Sequence, residues 1–113
     1  MPEVTIITTC FQASRCIDST IKSVLSQTYR DFEYIIQDGG STDDTFAIAR
    51  SYEASFNKLG IPFHCYCKKD NGIYEGMNNA VEHSSGSFIN FMNAGDTFIA
   101  PDVLDHIFCK NDS

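Results

Sequence analysis

The chain has 113 residues, 42% hydrophobic and 20% charged, a length that suits one domain with its own core. Its 15 acidic against 8 basic side chains leave a net charge of −7. That balance disfavours a sequence-independent grip on DNA or RNA and docking on anionic membranes, but leaves room for anionic ligands held through a divalent metal.

Val4–Cys10 (VTIITTC) is β-branched and predicts a strand. Residues 14–29 place Ile17, Ile21, Val24 and Leu25 on one helical face. Residues 32–37 (FEYIIQ) predict a second strand, stopped by Asp38-Gly39-Gly40, where paired glycines permit a turn. Ser41-Thr42-Asp43 offers capping side chains for one helix carrying Phe46, Ala49, Tyr52 and Phe56, ended by Gly60. Residues 61–67 predict a third strand, with Ile61, Phe63, Cys65 and Cys67 on one face and Pro62 arguing for an edge position. Residues 72–84 repeat the helical spacing through Ile73, Met77, Ala80 and Val81. Gly86 closes that helix, residues 87–92 predict a fourth strand, and 101–108 begin one more helix. The βαβαβαβα alternation implies an α/β fold with a mostly parallel sheet and crossover helices.

The five cysteines (Cys10, Cys16, Cys65, Cys67 and Cys109) contain no CxxC pair, so they are expected to be thiols in a reducing cytoplasm. The N-terminus has no basic stretch followed by an apolar one, and no run approaches the ~18 apolar residues of a membrane span. A soluble, cytoplasmic protein is the expectation.

Ligands of open parallel sheets bind beyond the carboxyl ends of the strands. Four such ends are legible: residues 9–12, 38–41, 69–72 and 93–96. Three carry an Asp, a set that suits a divalent cation with oxygen ligands. Each Asp alone would equally serve to cap a helix or start a turn. Other motifs are missing: no GxGxxG follows the first strand, and there is no GxxxxGK[ST] and no GxSxG. His64, His83 and His106 lack metal-ligand spacing relative to one another.

The opening VTIITTCFQAS…SVLSQTYRDFEYIIQDGGSTDDT, followed by DNGIYEGMNNAVEHSSGSFINFMNAGDTF, resembles the nucleotide-binding segment of family 2 glycosyltransferases. Within that family it looks most like bacterial transferases of surface-polysaccharide and colanic-acid-type synthesis. The resemblance covers nearly the whole chain and implies a Rossmann-like GT-A nucleotide-binding half, helices on both sheet faces, in residues 1–113. It implies a nucleotide-sugar donor, with a UDP-sugar the first expectation, a saccharide or lipid-linked acceptor, and Mg or Mn. Thr9 and Phe11 would line the base pocket, Phe11 offering a stacking face. Asp38 would accept a hydrogen bond from the uracil imide N–H, and Gly39 and Gly40 would let the backbone approach the nucleoside. Asp70 would lie in the segment closing over the nucleotide, and Asn78 occupies the place of a family Asn.

The metal motif of the family corresponds to Asn93-Ala94-Gly95-Asp96, with Asp96 its carboxylate. Asn93 and Gly95 stand where Asp is common, and Met77 where many relatives have Arg. Magnesium often takes only one or two protein carboxylates plus phosphates, so a single Asp still suffices. An inverting transfer also needs a general base, which such enzymes carry beyond the metal motif. No catalytic base is assigned within these residues, and the chain alone is expected to bind donor without transferring sugar. The competing expectations are a nucleotide-binding module without transfer activity and a magnesium-dependent phosphotransfer domain, the latter lacking a DxDxT-like nucleophile.

Overall fold

The β-branched run near the N-terminus and the FEYIIQD run become the two central strands of a parallel sheet. The computed structural model describes residues 3–69, 73–85, 88–98 and 101–104. Among them, four strands, β1 (Val4–Cys10), β2 (Phe32–Asp38), β3 (Phe63–Cys67) and β4 (Phe88–Phe91), alternate with α1 (Ile17–Leu25), α2 (Thr45–Arg50), α3 (Glu53–Lys58) and α4 (Ile73–Val81). All strand pairs are parallel, in the order β3-β2-β1-β4. β1 and β2 are buried along their whole length, as strands covered on both faces must be. β3 is an edge strand, as Pro62 argued.

One face of the sheet carries the larger core: Val4, Ile6, Tyr34 and Ile36 pack with Ile17, Ile21 and Val24 of α1 and with Ala49 and Phe56. Tyr34, Phe56 and Phe63 form an aromatic trio, Tyr34 edge-on to Phe56 at 5.4 Å and to Phe63 at 5.9 Å, the two phenylalanines stacked at 5.1 Å. On the opposite face Ile7 and Ile35 pack with Ala80 of α4 and with Tyr66. Helices on both faces of a parallel sheet are therefore as expected.

Two elements differ from the sequence reading. α1 is shorter than 14–29, because residues 13–16 form a turn closed by Cys16 N–H on the Ala13 carbonyl at 3.0 Å. The single helix expected after Ser41 divides into α2 and α3. At the break Ser51 N–H is shared between the Ala47 and Ile48 carbonyls, and Tyr52 N–H reaches back only three residues, to Ala49. Asp70, Gly86 and residues 105–108 of the last expected helix lie outside the described residues.

The order of strands reverses once. The chain runs outward from β1 through β2 to β3, then returns to place β4 on the other flank of β1. Such a reversal opens a crevice between the carboxyl ends of the strands on either side of it, here β1 and β4.

Candidate functional site

The crevice is laced together from both sides. On the β4 side, the Thr9 hydroxyl donates to Asn93 Oδ1 at 2.7 Å, and Ala94 N–H donates to the Thr9 carbonyl at 3.1 Å. The chain then turns, with Asp96 N–H on the Asn93 carbonyl at 2.9 Å and Gly95 at φ +102°, its N–H donating to Thr20 Oγ1 of α1 at 2.8 Å. That turn leaves the Asp96 side chain exposed at the rim. Asn93, with an amide in place of a carboxylate, holds β4 to β1 through its bond from Thr9.

On the β2 side, Asp38 is fully buried. Its Oδ2 accepts Gly40 N–H at 3.1 Å and Ser41 N–H at 2.8 Å, while Oδ1 accepts the Ser41 hydroxyl at 2.6 Å. Two thiols flank it, Cys10 at 3.5 Å from Oδ1 and Cys67 at 3.3 Å from Oδ2. Strand register explains the row: Cys10 pairs with Asp38, and Asp38 with Cys67. Burial first, then the Asp38 charge, pushes the Cys10 thiol well above its ordinary range. Burial and the hydrogen bond to Asp38 raise Cys67 as well. Gly39 N–H donates to the Cys10 carbonyl at 2.9 Å. Gly40 sits at φ +93°, where a Cβ would lie 3.3 Å from the Lys69 backbone, so its small size is needed for the close approach of the β3 end.

The β1 and β2 loops are clamped by a residue the sequence reading passed over. Gln12, at φ +51°, donates its N–H to Ser41 Oγ at 2.8 Å and accepts Thr42 N–H at 2.6 Å on Oε1. Asp43 adds to the clamp by accepting Thr45 N–H at 3.0 Å and Ser14 N–H at 3.3 Å. The Thr45 hydroxyl donates to the same carboxylate and holds it below its usual range. Beside this clamp Phe11 projects with 61% of its surface exposed.

Thr9, Asp38, Gly39, Gly40 and the turn bearing Asp96 thus gather at one edge of the sheet, with Phe11 standing free above it. Asn78 is exposed on α4, and no hydrogen bond among the described residues joins its side chain to the strand ends. Among the described residues no group of three or more His, Cys, Asp or Glu is gathered to hold a metal. The exposed Asp96 carboxylate would suit a hard divalent ion where further oxygen ligands complete its shell.

The sequence model of glycosyl transferase family 2 matches residues 5–108, almost the entire chain. The chain belongs to glycosyl transferase family 2. It is 36% identical over 104 residues to an uncharacterized glycosyltransferase, MT1564, of Mycobacterium tuberculosis, covering 91% of this chain and 37% of that protein. The chain accordingly spans little more than a third of that relative's length. Among solved structures it superposes on TarS of S. aureus (residues 1–349) in complex with UDP with a TM-score of 0.82 and 20% identity. That match covers 93% of this chain and 30% of the TarS 1–349 chain. The mannosyltransferase PcManGT of Pyrobaculum calidifontis, in complex with GDP-Man and Mn2+, gives a TM-score of 0.83 at 22% identity, covering 91% and 30%. The family 2 chain thus has the GT-A, Rossmann-like fold of these proteins. No helix among its described residues is long and apolar enough to cross a membrane.

Proposed function

We propose that residues 1–113 form the nucleotide-sugar-binding part of an inverting glycosyltransferase, with a UDP-sugar as donor. Its place would be polysaccharide or glycoconjugate synthesis, with a saccharide or lipid-linked acceptor. The observation that carries this reading is the meeting of three features at the β1/β4 strand reversal: the buried Asp38 turn, the exposed Phe11 ring and the Asp96 rim. The UDP complex of TarS, a protein of the same fold, supports the donor class.

In this reading Phe11 stacks on the base and Thr9 closes the pocket behind it. Asp38 accepts the uracil imide N–H. Its three donors from Gly40 and Ser41 keep it aimed, while the flanking thiols are weak donors that an imide N–H displaces readily. Gly39 and Gly40 allow the nucleoside close to the backbone. Asn78, and Asp70 outside the described residues, complete the donor contacts. Asp96 would hold Mg2+ or Mn2+, which, when bound, offsets the charge of two phosphates approaching a chain at −7 and stabilises the leaving diphosphate.

A thermal-shift panel of UDP, GDP, CDP and ADP, each with and without Mn2+, tests the reading. UDP with Mn2+ should give the largest shift, since a ligand at 100 times its Kd adds about 2.7 kcal/mol to native stability. No shift from any of the four would overturn it.

A further inference from the structure

Among the described residues, two buried side-chain polar atoms have no hydrogen-bond partner: Oε1 of Gln37, an acceptor, and Nδ2 of Asn79, a donor. Gln37 is only 2% exposed. Unpaired buried polar atoms are rare in folded proteins, and a complementary pair on facing elements calls for a physical reason.

The two belong to the same corner of the molecule. Gln37 lies one residue before Asp38 and is in register with Thr9 on β1 and Tyr66 on β3, so it shares their face of the sheet. That is the face on which α4 packs, Ala80 against Ile7 and Ile35. His83, one helical turn after Asn79, stacks on Tyr66 at 4.1 Å between ring centroids. The Asn79 side of α4 is therefore turned toward Tyr66 and, beside it, Gln37.

We propose that α4 has a second seat on the sheet in which the Asn79 carboxamide donates to Gln37 Oε1, and that donor nucleotide binding selects this seat. The described seat leaves both atoms unsatisfied; in the second seat α4 would lie closer to β2 and pair them. The device couples two parts of the proposed site, because α4 carries Asn78 while Gln37 lies beside Thr9 and immediately precedes Asp38 in the sheet. Gln37 and Asn79 are then positioning residues, acting through α4 without touching the nucleotide. The coupling to nucleotide rests on the function proposed above; the two seats do not.

Two measurements on the 113-residue chain separate these layers. In the ligand-free protein, side-chain amide relaxation dispersion should show exchange at Gln37 and Asn79, and Gln37→Leu should quench it at Asn79. Flat profiles, as a bridging water or a single seat would give, overturn the proposal. Urea unfolding and UDP titration with Mn2+ are then compared for Gln37→Leu, Asn79→Leu and the double variant. Each single change should raise ligand-free stability, by removing an unpaired atom, yet weaken UDP at least fivefold, with the double variant no weaker than the worse single. Lowered ligand-free stability with unchanged UDP affinity would mean an ordinary structural pair and overturns the proposal. If the wild-type chain binds no nucleotide while exchange persists, the second seat stands and the proposed function fails.

Discussion

Ser41 gives Asp38 two donors at once: its N–H reaches Oδ2 at 2.8 Å and its hydroxyl reaches Oδ1 at 2.6 Å. A carboxylate accepts at both oxygens, whereas an amide of the same shape presents an NH2 group to one of these donors. Asp38→Asn should therefore cost about 1–3 kcal/mol in urea unfolding. UDP affinity should fall by a comparable ~1.5–3 kcal/mol, read by calorimetry. Ser41→Ala, which removes the hydroxyl that donates to this carboxylate and accepts Gln12 N–H, should cost about 1.5–3 kcal/mol. Unchanged UDP affinity in a folded Asp38→Asn protein would take Asp38 out of the site.

Gly40 should tolerate no side chain. At φ +93° a Cβ is strained, and it would stand 3.3 Å from the Lys69 Cα, which is backbone and cannot swing away. Gly40→Ala is expected to lose about 1–2 kcal/mol of stability from the conformation alone. A variant as stable as wild type in urea would contradict this.

The buried Glu33 makes stability fall on acidification. It accepts the Thr5 hydroxyl at 2.7 Å, Ser85 N–H at 2.5 Å and the Ser85 hydroxyl at 2.8 Å, tying β1 and the segment after α4 to β2. Burial by itself would push its carboxyl up, but these hydrogen bonds, helped by the charge of His64, outweigh it and hold the pKa below its ordinary 4.5. A depressed folded-state pKa gives stability that is present above 4.5 and is lost as pH falls through the folded value. Glu33→Gln should lower stability at neutral pH by about 1–3 kcal/mol and flatten the acid limb of the profile. Parallel acid limbs in the two proteins would exclude Glu33 as its source.

Asp96→Ala should abolish the Mn2+ dependence of UDP binding and leave uridine binding nearly unchanged, because in the proposed site Asp96 would hold the ion that offsets the phosphate charge. If Asp96 merely caps its turn, the variant loses stability but keeps the metal dependence. Titrations of UDP and uridine, each with Mn2+ and with EDTA, distinguish the two.

The thiols around the Asp38 row should be sluggish. Burial pushes Cys65 up to about 12 and Cys10 higher still, so little thiolate exists at neutral pH. Iodoacetamide at pH 7.5 should label neither in the native chain and both in urea, followed by mass spectrometry. Fast native labelling of Cys10 would contradict the buried placement.

Much of this protein is decided locally. Strand-forming runs, helical spacing and the glycines after β2 each depend on residues a few positions apart, so the alternation of elements and the four strand ends can be read along the chain. Asp38, Gly40 and Asp96 are legible for the same reason: they follow directly on strands or turns whose ends are marked. The break between α2 and α3 was not, because both segments keep one helical period, and the larger core decides where Phe56 must sit. Strand order was equally hidden, since a crossover helix does not state on which flank its next strand will pair. Only that order sets Thr9 beside Asn93 and lines up Cys10, Asp38 and Cys67 across three strands. The clamp by Gln12 and the anchoring of Ser85 by Glu33 span 29 or more residues of sequence, and contacts that distant exist only once the sheet has assembled.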